Sequence, residues 1–561
     1  MSSPLPAGAA ASPDPRDAEA GRPLAAPAVG PDHGLGRKVA KSAAIMVLGR
    51  LATRVVSVIS TLLLVRLLLP ADFGLVALAA AAFVIADIVT ATSYGLVLVR
   101  RATVDRALYD TAWTMNLLRC LLLGGLVAVT ADMQAALLGD PRIAPVLSVV
   151  ALTVSLDGLV SIGMARLQRE FRFGEIFRYQ VTAKLLSFVL TIALAVLFRS
   201  YWCLVLGNLF AKLLLIPLSY YLAPHRPRLS LEHWRELFGF SRWMFATNLC
   251  MAADGQGPNL VLGRIGGIEA VGMYNVSYQI AATPVTELAA PVRAPIYSGY
   301  ARVLGDLAAL RDQHLDGFAF LSALTVPLSV GIALTAPEWE RLALGPAWAG
   351  AAPMIAICAL YALVDSLSHF TFNVFTVLDR QRLFVAIYAT LGMIRVPAII
   401  AGGLLAGPWG TLSAMLATGV VNVFVWHWQT GRLLGHAAAI PFLRLGRTVA
   451  AAVTMTAAVL LLRSVWPAIG NSSLEAFARL LTVAALGASV HILTQILLWR
   501  IAGRPAGVEQ TLVTLLAQTV QRRRERRATS HGWARVLAPL LGRPREPKRP
   551  LRPLPALTEP G

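Results

Sequence analysis

Apolar stretches of about 20 residues recur along this chain, separated by short breaks rich in charge, glycine or proline. A helix of about 20 residues crosses roughly 30 Å of hydrocarbon. The stretches therefore predict fourteen spanning helices, at 43–69, 74–99, 111–131, 144–165, 179–198, 201–222, 243–263, 270–297, 316–337, 350–377, 382–404, 409–433, 447–466 and 476–502. Pro70, the Gly407-Pro408-Trp409-Gly410 turn and Pro467 separate several of them. Asp254 and Gly255-Gln256-Gly257-Pro258 interrupt the seventh, where glycine and proline predict a break or kink. The ten-residue alternation of a membrane barrel strand is absent. The pattern predicts an all-α polytopic membrane protein.

Composition agrees. Of 561 residues, 56% are hydrophobic and 14% charged, too few charges to cover several soluble domains. The net charge is nevertheless +20. Part of it lies in a basic tail, 503–561, while the Pro- and Ala-rich tail, 1–42, is nearly neutral and lacks the pattern of a cleaved signal peptide. Arginines crowd the loops after even-numbered spans, including Arg100, Arg101, Arg169, Arg172, Arg226 and Arg228. Loops after odd-numbered spans hold Arg142, Arg199, Arg264 and Arg341 together with Asp72, Asp132, Asp140, Glu338 and Glu340. Basic short loops stay in the cytoplasm, so both termini are expected there. The tail cluster from Gln521 to Arg527 is either a solvated topology determinant or a site for anionic headgroups.

No enzyme signature accompanies these spans. Cys120, Cys203, Cys250 and Cys358 all fall within spans and form no C-x-x-C pair, so they read as small apolar residues. The histidines lack metal-ligand spacing, and no phosphate loop, serine nucleophile or dinucleotide fingerprint stands in a strand-to-helix context. Nucleic-acid binding is not expected, because basic residues are not interleaved with aromatics.

One motif repeats. The first span closes with Arg66 and Leu67-Leu68-Leu69-Pro70-Ala71-Asp72-Phe73-Gly74; the seventh closes with Gly263-Arg264 and a turn containing Glu269 that ends on Gly272. Both copies end an odd-numbered span, six spans apart, as a parallel duplication requires. The segment Arg66–Leu75 resembles the signature of the bacterial polysaccharide flippases, the Wzx-like branch of the multidrug/oligosaccharidyl-lipid/polysaccharide exporter superfamily. Ala165–Phe173, Leu262-Gly263-Arg264, Gly272-Met273-Tyr274-Asn275-Val276-Ser277-Tyr278 and Ala343–Trp348 resemble further family segments in the same order, over roughly residues 40–500. The resemblance implies two six-helix bundles, 43–222 and 243–433, joined by a basic cytoplasmic linker, 223–242, with two further helices in 434–502. It also implies alternating access, carrying an undecaprenyl-diphosphate-linked oligosaccharide across the bacterial inner membrane for exopolysaccharide, capsule or O-antigen synthesis. The implied partners are this glycan, membrane lipids, a polysaccharide polymerase and glycosyltransferases.

Ionisable residues inside spans are costly and face a cavity, a partner or the interface. The cations are Arg50 and Arg54, one turn apart on the first span, with Arg119, Lys184, Lys212, Arg293 and Arg395. Arginine forks onto diphosphate oxygens and lysine acts as a compact charge. The competing roles are snorkelling and ion pairing. The acids are Asp87, Asp157, Asp254, Glu287 and Asp365, the last one turn from His369. Each is a candidate H⁺ or Na⁺ site, or else neutralises a buried cation, as Asp87 would with Arg54. The family often carries an acid close to position 258; here Pro258 stands there, so Asp254 is the candidate replacement at a hinge. No other cofactor is expected.

A drug exporter or a peptidoglycan-precursor flippase belongs to the same superfamily. A membrane-embedded polymerase or ligase is the alternative from another class, but the longest outer loops, 132–143 and 338–349, are short for a catalytic platform. A structural scaffold would not need so many charges in its spans.

Overall fold

The computed structural model describes residues 33–90, 105–170, 172–466 and 473–503, and every regular element among them is helical. Residues 1–32 and 504–561, the end of the second span, Arg100, Arg101 and the Pro467 turn lie outside the described residues, and α1 reaches back to His33 into the expected N-terminal tail. Nine helices among them are long and apolar enough to cross a membrane. Many of their large apolar side chains are exposed, Leu122, Leu197, Leu405 and Leu493 among them. Water would disfavour such surfaces, whereas lipid tails accept them. The chain is a multi-pass membrane protein.

The first compact unit runs from the N-terminus to Gly272. It contains α1 (His33–Leu67), α2 (Pro70–Thr90), α3 (Arg106–Val129), α4 (Ala131–Leu138), α5 (Ile143–Asp157), α6 (Gly163–Arg169), α7 (Phe173–Phe198), α8 (Trp202–Leu222) and the first part of α9 (Trp234–Arg302). α7 packs between α1 and α8, while α5 packs on α3, α8 and α2. Leu64, Leu68, Ala195 and Cys203 form one core cluster, capped by Phe73 of the repeated motif. The cysteine serves there as a small apolar group.

The second unit, from Met273 onward, continues α9 and adds α10 (Leu307–Leu334), α11 (Ala336–Trp339), α12 (Ala351–His369), α13 (Phe372–Val377), α14 (Gln381–Leu434), α15 (Ile440–Val465) and α16 (Ser473–Ile501). α12 packs on α10 and α14, α15 packs on α10, and α16 packs on α15. The loop 338–349 is shaped by a π turn, Glu340–Leu344, and a 3₁₀ turn, Pro346–Trp348, that seats the Trp348 ring in full burial.

Most predicted spans coincide with these helices, and the departures have local causes. α14 has 54 residues, about 80 Å at 1.5 Å per residue, too long for one crossing. It reverses at Ala406 and Gly407, the latter at φ 60°, as the Gly-Pro-Trp-Gly turn predicts. Gly402 and Gly410 then meet across the hairpin, where a β-carbon on Gly410 would lie 1.9 Å from the Gly402 carbonyl oxygen. The fourth span, predicted at 144–165, ends at Asp157; a non-helical stretch precedes α6, with Ser161 Oγ bonded to the Ala223 carbonyl at 2.8 Å. The tenth keeps its expected extent as a span over Ala351–Val377, with a turn at Phe370 and Thr371 between α12 and α13.

The expected break at Gly255–Pro258 is absent. α9 is helical there, and its backbone departs from helical angles at Gly267, φ 76°. A glycine reaches that left-handed region without a β-carbon clash, whereas Gly255 and Gly257 remain helical in this context. Asp254 therefore stands inside a helix, three turns before the turn of the chain, and not at a break.

Candidate functional site

The repeated motif builds a corner. α1 stops at Leu67, α2 starts at Pro70, and Leu69 between them is the one residue of this turn without a helical or bend assignment. Its N–H donates to Asp72 Oδ2 at 3.0 Å, and Asp72 Oδ1 accepts from Tyr201 N at 3.1 Å. The motif aspartate thus caps one helix start while holding another. In the second copy the non-helical residue is Gly267, which occupies the equivalent place to Leu69. The two corners touch reciprocally within the first unit. A β-carbon on Gly74 would lie 1.8 Å from the Ile268 carbonyl oxygen and 2.9 Å from Gly272 N. One on Gly272 would lie 1.8 Å from the Pro70 carbonyl oxygen and 2.9 Å from Gly74 N. Gly263 similarly lies against the Leu78 side chain. Backbone approach this close admits only hydrogen at these positions. Arg66 and Arg264 are both exposed at their corners.

The first unit also collects most of the predicted ionisable residues. Arg119 of α3 donates to Asp87 of α2 at 2.8 Å and lies 3.4 Å from Asn116 Oδ1. Arg119 is thus one cation that engages Asp87. Lys212 of α8 pairs with Asp157, the last residue of α5. A carboxylate at a helix C-terminus opposes the helix dipole, and the ammonium offsets it. Arg54 of α1 and Lys184 of α7 are both half-buried. Lys184 has no carboxylate within ion-pair distance among the described residues. Arg50, one turn before Arg54, is exposed. The first unit therefore holds two ion pairs, Asp87–Arg119 and Asp157–Lys212, within its spans.

The polar interior of the second unit is aromatic. Arg395 is buried on α14, donates to Tyr361 Oη at 2.6 Å and lies 5.1 Å from that ring's centroid. Tyr361, Tyr278 and Tyr274 follow one another with centroids 6.2 and 5.9 Å apart. Tyr274 Oη reaches Met415 Sδ at 3.7 Å. Asp365 sits one turn beyond Tyr361, and both Asp365 and Arg395 act electrostatically on Tyr274. His369 Nδ1–H donates to the Asp365 carbonyl oxygen at 2.9 Å, with the carboxylate at 3.4 Å. The Asp365–His369 pairing read from i,i+4 spacing is thus formed, with the main-chain oxygen as its nearer acceptor. Asp254 and Glu287 are half-buried on α9 in different units. The Arg293 side chain lies outside the described residues. No group of three metal-ligating residues occurs among the described residues.

Two buried constellations escaped sequence reasoning. Glu338 is fully buried and accepts from Arg463 at 2.7 Å and from Arg479 Nε at 3.2 Å, which ties α11 to α15 and α16. Sequence placed it among exposed loop acids. The available signal was the pair of arginines in otherwise apolar final spans, since each needs a counter-charge. Asp110 of α3 is likewise buried, and it holds His225 and the N–H of Arg228. Outside the spans, Asp140 is held below the usual carboxylate range by the hydrogen-bonded Arg142 guanidinium.

Comparison with known proteins accounts for this architecture. The pattern of the family described as polysaccharide biosynthesis protein matches residues 63–353. The lipopolysaccharide biosynthesis protein WzxC of Escherichia coli (strain K12) is 21% identical over 360 residues, 63% of this chain and 73% of that protein. The teichuronic acid biosynthesis protein TuaB of Bacillus subtilis (strain 168) is 21% identical over 359 residues, 62% of this chain and 72% of that protein. Among solved structures, the lipid II flippase MurJ in an inward closed conformation aligns with a TM-score of 0.67 at 13% identity. The alignment covers 82% of this chain and all of that one, a likeness of fold. With the family pattern extending over half of its length, the chain belongs to the polysaccharide biosynthesis protein family.

Proposed function

We propose that the protein is a flippase that moves an undecaprenyl-diphosphate-linked oligosaccharide across the bacterial inner membrane by alternating access, for exopolysaccharide, capsule or O-antigen synthesis. The observation that carries this reading is the family match over residues 63–353, with relatives named for lipopolysaccharide and teichuronic acid biosynthesis. Half-buried Arg54 and Lys184 on two helices of the first unit would offer cationic groups to the anionic head of such a cargo. The diphosphate would sit against them while the glycan meets polar groups and the lipid tail stays in the bilayer. The neutralised pairs, Asp87–Arg119 and Asp157–Lys212, order the helices around the site. Family membership and the names of the relatives support a polysaccharide precursor over a drug or a peptidoglycan precursor. The polymerase or ligase reading receives no support from the relatives, and the chain is read as a transporter and not an enzyme.

In this reading fourteen spans form two six-helix bundles plus two C-terminal helices, with both termini cytoplasmic. The reversals at Gly267 and in α14 support counting α9 and α14 as two crossings each. The repeated corners meeting at Gly74 and Gly272 would close one face of the membrane while the other is open. Asp157, Asp254, Glu287, Asp365 and His369 are the candidates for H⁺ or Na⁺ coupling. A polymerase and glycosyltransferases would receive and supply the glycan.

Deleting the protein should trap lipid-linked repeat units in the inner leaflet, read by leaflet-resolved analysis. Unchanged delivery in a strain with no second flippase would refute the reading. Lys184→Gln should slow delivery about tenfold or more, the loss of one charge-assisted contact, while leaving thermal stability close to that of the unmutated protein, because the half-buried ammonium has no carboxylate within ion-pair distance among the described residues. A stability loss with unaltered delivery would make Lys184 a packing residue. Asp365→Asn should alter the ion dependence of transport without unfolding the protein; an unchanged pH and Na⁺ profile removes Asp365 from the coupling candidates.

A further inference from the structure

Within the basic linker expected at 223–242, the segment 223–233 between α8 and α9 is strapped onto α3. Arg106 donates to the Arg226 carbonyl oxygen at 3.2 Å. The buried Asp110 carboxylate accepts from His225 Nε2 at 2.9 Å and from Arg228 N at 3.2 Å. Ser230 N donates to Thr114 Oγ1 at 3.1 Å, and His233 N donates to Thr111 Oγ1 at 3.5 Å. These bonds consume the backbone and the inward side chains, so the remaining side chains project away from the protein. Arg226, Arg228 and Arg235 are exposed. So are Leu229 at 77%, Leu231 at 50% and Trp234 at 45%. Arg235 stacks on Trp234, 5.6 Å from its centroid.

Depth decides what this surface meets. Thr114 lies eight residues beyond Arg106, about 12 Å along the helix axis. The strap thus reaches into α3 to within one turn of Leu118, and Leu118, Leu121 and Leu122 are exposed, as lipid-facing leucines are. A solvated loop at that depth would have no reason to display two leucines and a tryptophan. An amphipathic segment in the interface displays apolar groups toward acyl chains, tryptophan at headgroup level and arginine toward phosphates. Three arginines against Glu232 as the one exposed strap carboxylate favour anionic headgroups over neutral ones.

We propose that the 223–235 strap is a binding surface for anionic phospholipid in the leaflet at this end of the spans, with Leu229, Leu231 and Trp234 immersed and Arg226, Arg228 and Arg235 on the headgroup phosphates. Bound lipid then anchors the connection between the two halves of the chain, and α9 moves from a fixed origin at Trp234.

A benzophenone amino acid in place of Leu229, in nanodiscs of phosphatidylcholine with a minor share of phosphatidylglycerol, tests this by intact-mass analysis after irradiation. The expected adduct is phospholipid, with phosphatidylglycerol enriched about fivefold or more over its mole fraction, from cationic attraction at an anionic surface. Arg226→Gln/Arg228→Gln/Arg235→Gln should return the adducts to bulk composition. The same probe at Leu122, which faces lipid within α3, should label at equal yield in both proteins and so reports that the variant is folded. Absence of lipid adducts at position 229, or adducts at bulk composition in the unmutated protein, overturns the proposal.

Discussion

Alanine at Gly74 or at Gly272 is expected to stop glycan delivery and to lower the unfolding free energy by about 1–3 kcal/mol, the usual cost of overpacking a close contact. The added methyl group would stand 1.8 Å from a backbone carbonyl oxygen in either case, and a peptide oxygen cannot swing aside as a side chain can. The corners must therefore separate, which in the proposed alternating-access cycle would leave the face they are proposed to close open. Because both substitutions break one contact, their costs should not add. Once Gly74→Ala has parted the corners, Gly272→Ala should cost little more, and a double-mutant cycle on thermal unfolding in detergent should show strong coupling. Additive costs would mean that the two glycines act at separate places.

Removing the Glu338 carboxylate should cause the second large loss. Glu338→Ala leaves Arg463 and Arg479 beside a space with no counter-charge, and breaking a buried ion cluster on one side costs about 3–5 kcal/mol. The affected region is specific: α15 and α16 should detach from α11 before the rest of the second unit unfolds, because Glu338 is their shared ionic anchor. Hydrogen exchange resolved by segment would show early opening in 440–501. Replacing all three residues by leucine should recover most of the stability, since well-packed apolar groups substitute for buried ion clusters at little or no cost. Failure of the triple variant to recover would assign Glu338 a role beyond charge balance. The segment that carries it consequently ties down the last two helices, and Trp348 beside it is equally buried.

That the chain is helical and crosses a membrane many times was readable in the sequence because lipid imposes one strong rule: a spanning segment must be apolar and about 20 residues long. The corner after Arg66 was readable too, through its repetition near Arg264, and Gly267 and Leu69 occupy equivalent places in the two copies. Local signals failed where context decided. Gly255, Gly257 and Pro258 look like a break yet remain helical, while the less conspicuous Gly267 takes the left-handed angle. Asp157 reads as the middle of a span and is a helix end. The spacing of Asp365 and His369 foretold their contact, because i,i+4 proximity is a property of the helix itself. Partners on different helices were not foretold: Asp87 with Arg119, Lys212 with Asp157 and Arg395 with Tyr361 lie 32, 55 and 34 residues apart. Buried acids in short loops were missed for the same reason, since Glu338 and Asp110 reveal their burial only through distant partners.

The central claim is that the cations of the first unit carry a diphosphate-linked glycan through the membrane. Proteoliposomes loaded with labelled undecaprenyl-diphosphate oligosaccharide, probed with a membrane-impermeant glycosidase, test it most directly. With the unmutated protein the sheltered glycan should become accessible over time, and the rate should fall at least tenfold in Arg54→Gln/Lys184→Gln protein of equal thermal stability. Equal rates in the two proteins, or no exposure of glycan by the unmutated one, would contradict it.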